Sequence, residues 1–203
     1  MLSNSPLKKP ADLAGKKVAV SRLGGSSYAY AQLVAKSLGL EGSLRIVAAG
    51  GSREQVAGLV SGAFDSIHVT TFVIGPLAAQ GRARQLVDDS KYLPQQWLGR
   101  VVHTPASFLN QNPDAVGKVV KAVNMGTKFV MENRDWTIEK MKSFSKYTPE
   151  AAEFLYPRLQ FSPDGKIDKE ALANVRDFLI KFDQINPAKT PPVEKMYTDR
   201  FTR

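Results

Sequence analysis

The stretch KKVAVSRLGGSSYAYAQL, residues 16–33, decides the fold. Its opening, KKVAVS, is the short apolar run of a buried strand. Two glycines and two serines lead into SSYAYAQLVAKSLGL, a helix pattern with Tyr30, Leu33, Val34 and Leu38 on one face and a stop at Gly39. A strand that turns through glycines straight into a helix is the first half of a strand-helix-strand unit. SLRIVAA, residues 43–49, is the returning strand. SREQVAGLVSGAF, residues 52–64, is the next helix, with Ser52 as its expected N-cap, Glu54 and Gln55 in its first turn, and Val56, Leu59 and Val60 inward. DSIHVTT, residues 65–71, supplies a third strand. Two such units in succession imply a parallel sheet with helices packed on it, an α/β fold.

Beyond the third strand the pattern predicts a helix around PLAAQGRA (76–83) and one more strand at LGRVVHT (98–104). After Pro105 the character changes to long helical spans. Pro113 takes a first-turn position after Asn112, and Val116, Val119, Val120, Val123, Thr127 and Val130 follow at helical spacing. DWTIEKMKSFSKY, PEAAEFLYPRLQF and KEALANVRDFLIKF read as three further helices, and the tail NPAKTPPVEKMYTDRF as a proline-rich surface segment. The chain therefore divides into an α/β part, 11–98, and a mostly helical part, 99–203. The helical part has apolar faces but little strand to cover them, so association into a dimer or larger assembly through those faces is expected.

With 203 residues, 43% of them hydrophobic, the chain can bury one sizeable core or two small ones. The longest mostly apolar stretch, IHVTTFVIGPLAA, has 13 residues and an internal Gly-Pro, too short and too broken to span a bilayer. MLSNSPLKKPADL lacks the continuous apolar region of a secretory signal. The absence of cysteine excludes disulfides, thiolate zinc sites and cysteine nucleophiles, and leaves the compartment open. The formal charge of +9 favours anionic partners. These charges are dispersed, with no run longer than Lys8-Lys9 or Lys16-Lys17 and no alternation of basic and aromatic residues, so nucleic acid is not an expected partner.

GGSSYA at a helix start fits neither the P-loop spacing nor a full dinucleotide fingerprint. It offers free backbone N–H groups, the hydroxyls of Ser26 and Ser27, and glycines that allow close approach. Two readings stand side by side: capping by Ser26 or Ser27 after a glycine turn, or a cradle for an anion. SPDGKIDKEA fails the calcium-loop register, because Gly165 in sixth place puts Gln160 first and Ala171 twelfth. The remaining reading is a turn at Asp164-Gly165 followed by a helix capped by Asp168. His68 and His103 stand apart from any metal-ligand spacing, and His68, on a buried strand, reads as a structural histidine. No GxSxG elbow occurs, and neither catalysis nor a cofactor is expected.

Taken together, PLKKPADLAGKKVAVSRLGGSSYAYAQLVAKSLGL (6–40) resembles the segment that opens the second lobe of substrate-binding proteins of nitrate/sulfonate/taurine-type ABC transporters, a group that includes thiamine-precursor binders. IVAAGGSREQVAGLVSGAFDSIHVT (46–70) is similar to the part that follows there. NPDAVGKVVKAVNMGTKFV, FSPDGKIDKEALANVRDFLIKF and MYTDRF are similar to the helices that return to the first lobe. The resemblance covers nearly the whole chain in the family's order. It implies a periplasmic-binding-protein-like lobe plus a helical return segment, and capture of a small anionic solute between two lobes for delivery to a membrane permease, outside the cytoplasm and without chemistry. It also implies a signal peptide and first-lobe strands ahead of the segments seen here, so a shortened chain is expected. On this ground the Gly/Ser loop faces the cleft. Ser26 and Ser27 lead the expected ligand residues, with Ser21, Arg22, Gly25 and Tyr28 as neighbours and Thr70 and Thr71 further along. Two other families share the architecture. LysR-type effector domains need an N-terminal helix-turn-helix, and yeast-type thiamine pyrimidine synthases need a cysteine-rich motif, which this chain lacks.

Overall fold

The computed structural model describes residues 1–162 and 164–202; Pro163, in the stretch tested for calcium binding, and Arg203, at the end of the helical part, lie outside the described residues. Strand β1 (Lys17–Val20) pairs in parallel with β2 (Arg45–Ala48) on one side and β3 (Ser66–Ile67) on the other, in the order β2-β1-β3. Lys17 faces Arg45, and Val18 faces both Ile46 and Ser66. Ala19, paired along both edges, and Val20, paired with Ala48 of β2, are fully buried.

Helix α1 (Ser26–Ser37) buries Ala29, Ala31, Leu33, Val34 and Ala35. It ends where Gly39 predicts. That glycine has φ 66°, its N–H donates to the Lys36 carbonyl at 3.2 Å, and the Leu40 N–H reaches back to the Ala35 carbonyl at 2.8 Å. This double bond is the Schellman stop, and it requires a left-handed residue at the position glycine occupies. Helix α2 (Ser52–Val60) departs from expectation in two respects. Gly51, not Ser52, is its N-cap, and Gln55 and Leu59 are buried while Val60 is exposed. Residues 55 and 59 lie one turn apart on a single face, so the face toward the sheet is centred there and Val60 is rotated out of it.

The third strand is only two residues long. After the His68 N–H donates to the Ala19 carbonyl at 2.9 Å, the chain leaves the sheet. Thr70 then becomes the N-cap, and Thr71 the first residue, of α3 (Thr71–Ala79), which replaces the helix expected at 76–83. Pro76 sits inside α3. A proline there has no N–H for the carbonyl four residues back, Phe72. The Tyr147 hydroxyl donates to that carbonyl at 3.0 Å, so the helix survives its proline through a long-range partner.

Residues 98–104, expected as a strand, run without ladder partners among the described residues, with Val101 and Val102 exposed. An apolar β-branched pair does not make a strand where no neighbouring edge is presented. The helical part contains α4 (Ala106–Gln111), α5 (Pro113–Glu132), α6 (Arg134–Ser143), α7 (Pro149–Leu155) and α8 (Lys169–Lys181). Pro113 is the first residue of α5, the turn at Gly165 has φ 69°, and the Asp168 carboxylate caps α8 by accepting from Glu170 and Ala171 at 2.8 and 3.1 Å. Helix α5 buries no residue: Val119, Val123, Phe129 and Met131 are exposed, as are Trp136 and Phe144 beyond it. The last two helices behave differently. Helix α7 packs on α3 through buried Ala151, Ala152 and Leu155, and α8 sets Phe178 and Phe182 against Ala29 and Leu33 of α1.

Gly75 marks the tightest of these contacts. A Cβ there would stand 2.6 Å from Leu155 Cδ2. Gly75→Ala is expected to destabilise the chain by about 1–3 kcal/mol through overpacking, measured by urea unfolding. Combining it with Leu155→Ala should give less than the sum of the two single losses.

Candidate functional site

Parallel strands point one way, so the loops that leave β1, β2 and β3 gather at a single end of the sheet. Backbone bonds hold the first two together: Ala49 N–H donates to the Val20 carbonyl at 2.9 Å and Gly50 N–H to the Ser21 carbonyl at 3.1 Å. These loops are twins. Gly24 has φ 73° and Gly25 φ −110°, ψ 172°; Gly50 has φ 80° and Gly51 φ −73°, ψ 177°; each pair is followed by a serine that begins a helix. A left-handed glycine and then an extended one turn the chain through the angle from strand to helix. The first position, with φ above 70°, strongly favours glycine on conformational grounds.

No side chain caps α1, α2 or α3. The first turns of three helices thus stand at the same end of the sheet without an N-cap side-chain bond, and their dipoles add a positive potential. This end of an open parallel sheet is where ligands bind in α/β proteins.

Capping by Ser26 or Ser27 does not occur, because Gly25 holds the N-cap position and both serines lie inside the helix. Ser26 is exposed. The Ser27 hydroxyl accepts the Ser21 N–H at 3.2 Å and lies 2.9 Å from the Ser21 hydroxyl, tying the helix start to the strand end. Arg22 is exposed, and its Cγ lies 3.0 Å from the place a Cβ on Gly25 would take, so a side chain at 25 would displace it. Ser21, Arg22, Gly25, Ser26 and Ser27 therefore form one cluster. Tyr28 is separate: it lines an open groove of about 530 Å³ with Leu23, Gln32, Lys36, Ile46 and Phe182. Thr70 and Thr71 are exposed at the start of α3, past the end of β3, the strand directly beside β1.

Gly50 and Gly51 stand at this end as well, beside Glu54 and Gln55, which the sequence marks only as first-turn residues of a helix. The two glycines are signalled by the tripeptide Gly-Gly-Ser, which occurs at 24–26 and again at 50–52. Glu54 lies back over its own helix start, with Oε2 2.7 Å from the place of a Cβ on Gly51. The first turns of α1 and α3 contain no acid. Of the three helix starts, α2 alone has a carboxylate of its own in reach.

His68 serves as a latch. Its Nε2 lies 2.9 Å from Asp89 Oδ2, its ring stacks on Tyr30 with centroids 5.4 Å apart, and the Trp97 Nε1–H donates to the Tyr30 hydroxyl at 2.9 Å. Phe178 closes the cluster against Tyr30 and Trp97. Burial pushes the Tyr30 hydroxyl pKa up. The hydrogen bond to His68 holds the Asp89 carboxyl below the usual carboxylate range, against the opposing effect of burial. His103 is exposed, and among the described residues no group of three His, Asp or Glu could hold a metal ion. No described helix is long and apolar enough to cross a membrane.

Solved structures share this fold. The alkanesulfonate-binding protein SsuA from Xanthomonas axonopodis pv. citri, bound to MOPS, superposes with TM-score 0.72 at 17% identity, over 91% of this chain and 64% of that one. The periplasmic aliphatic sulphonate-binding protein SsuA from Escherichia coli gives 0.70 at 17%, over 90% and 58%. The desulfurization enzyme DszB gives 0.66 at 17%, over 98% and 72%, so the fold hosts an enzyme as well as binding proteins. No curated protein matches the sequence. The chain thus has the periplasmic-binding-protein fold and spans 64% and 58% of the two sulfonate-binding proteins. The NMT1/THI5-like family model matches residues 1–136, two thirds of the chain, and the chain belongs to that family.

The Asp89 pKa sets a pH dependence. A carboxyl whose native pKa is lowered adds stability that is complete above its unfolded value of about 4 and is lost as pH falls through the native value. Asp89→Asn should therefore lower thermal stability at pH 7, and its difference from the wild type should shrink below about pH 4, as read by scanning calorimetry across pH.

Proposed function

We propose that this chain forms the sheet-bearing lobe of a solute-binding protein that captures a small anionic solute and passes it to an ABC permease outside the cytoplasm, without chemistry. The observation that carries the reading is the meeting of twin Gly-Gly-Ser turns and uncapped helix starts at one end of a parallel sheet. Its fold is that of two sulfonate-binding proteins, and the acid-free first turn of α1, with Arg22 beside it, favours an anionic head group such as a sulfonate. In this reading residues 11–98 are the α/β lobe and 99–203 carry the chain toward a second lobe. The uncovered face of α5 and α6 fits that role, while α7 and α8 fasten the segment to the α/β lobe. The same uncovered face supports association of this chain with itself.

The test is a titration of the chain with MOPS and with sulfate, followed by amide chemical shifts and calorimetry. Ser21, Gly25, Ser26 and Ser27 should shift, with weak affinity because a site open on one side leaves much of the ligand in water. Replacing Ser26 and Ser27 together by alanine should weaken binding by roughly 1–3 kcal/mol, the scale for hydrogen bonds to a charged group. Unchanged affinity in the double variant would remove these serines from the site.

A further inference from the structure

The groove lined by Tyr28 also borders an unpaired strand edge. In the order β2-β1-β3, strand β2 has a neighbour on one side only. Arg45 N–H donates to the Lys16 carbonyl at 3.0 Å and Ala49 N–H to the Val20 carbonyl at 2.9 Å. Backbone direction alternates along a strand, so the N–H and C=O groups of Ile46 and Ala48 point away from β1. No hydrogen bond among the described residues uses any of them, and Ala48 is exposed.

Ile46 brings β2 to this groove of about 530 Å³, and Tyr28, Gln32 and Lys36, one stripe of α1, line it with Lys181 and Phe182 at the end of α8. An open edge and a helix with a groove between them can accept an extended chain as an added strand: the main chains pair, and alternate side chains of the newcomer enter the groove. The charges say which kind of chain. Lys36 and Lys181 line the groove, Lys17 and Arg45 are register partners at the start of their strands, and all four are exposed without an ion pair among the described residues. Glu41 is the one acid in the lining. A second copy pairing β2 with β2 would set these cations against their own kind, which destabilises a sheet, whereas an acidic segment meets attraction.

We propose that β2 and the groove beside it bind an extended acidic segment of a partner protein, added to the three-stranded sheet as a further strand. The partner's main chain pairs with Ile46 and Ala48, its carboxylates lie near Lys36, Arg45 and Lys181, and its inward side chains rest against Tyr28 and Ile46. None of Ser21, Arg22, Gly25, Ser26 and Ser27 lines the groove, so the surface is separate from the anion cluster and does not depend on the solute-binding reading.

Three end-blocked peptides test this: Glu-Val-Glu-Val-Glu, its Lys-Val-Lys-Val-Lys counterpart, and the acidic peptide with every backbone nitrogen methylated, each titrated into the full chain at pH 7 and low salt. The acidic peptide is expected to bind about tenfold tighter than the basic one, the scale of two or three exposed ion pairs. It should shift the Ile46 and Ala48 amides and slow their hydrogen exchange while leaving Ser27 unmoved, and methylation should abolish both effects. Lys36→Glu combined with Arg45→Glu, at two exposed positions and checked for folding by circular dichroism, should reverse the preference between the charged peptides. Equal binding of the two charged peptides, binding of neither, or an acidic peptide that leaves Ile46 and Ala48 unmoved would overturn the proposal. Protection of those two amides that grows with the concentration of the chain alone would assign the edge to a second copy and overturn it as well.

Discussion

The parallel pairing of β1 along both of its edges is the constraint on which the structure depends. Only four residues long, β1 supplies the partner for β2 in full register and for β3 over two residues, and its Ala19 and Val20 have no contact with water. Parallel neighbours cannot be joined by a tight hairpin, so each crossover must carry a helix back over the sheet. With that direction set, every loop leaving a strand's carboxyl end arrives at the same place, and every helix begins there. The candidate site is a consequence of strand direction before it is a consequence of any side chain.

Helices from the second half of the chain complete the lobe. Leu155 of α7 fits against a residue of α3 that has no side chain, and the Tyr147 hydroxyl, just before α7, takes the carbonyl that Pro76 leaves free. On the other side Phe178 and Phe182 join Tyr30 and Trp97, while His68 and Asp89 hold the segment before Trp97 in place. Both contacts mix apolar burial with one polar group that would otherwise stand unsatisfied, which gives them a single geometry and not just adhesion. Helix α5 is covered less: Val116, Val120 and Val130 are half-buried, while Val119, Val123, Phe129 and Met131 lie in solvent.

Glycine at the N-cap of α1 and α2, in place of a capping side chain, costs each helix only a few tenths of a kcal/mol. Thr148 caps α7 and Asp168 caps α8, whereas α4, α5 and α6 start, like α1 to α3, without a side-chain cap. Glycine at the cap of α1 and α2 leaves room for side chains to lie against the turn, Arg22 at Gly25 and Glu54 at Gly51.

Local chemistry was legible in the sequence where its cause lies within a few residues. The strand-helix alternation, the left-handed stop at Gly39, Pro113 at the first turn of α5 and the Asp168 cap all follow from backbone sterics and neighbouring hydrogen bonds, and all form. What involves a distant partner was not legible. Residues 98–104 have the composition of a strand but no edge to pair with. Val60 and Gln55 exchange burial because the angle at which α2 meets the sheet chooses its inner face. Ser27 turns its hydroxyl to Ser21 instead of to its own helix because β1 ends beside it. The sequence by itself determined the first strands and helices and the turns between them, and most of the later helices, but not the fate of 98–104 or the bounds of α3. Only the tertiary structure decided which faces are covered and which donors and acceptors meet at the sheet end, because those depend on residues brought together from far apart in the chain.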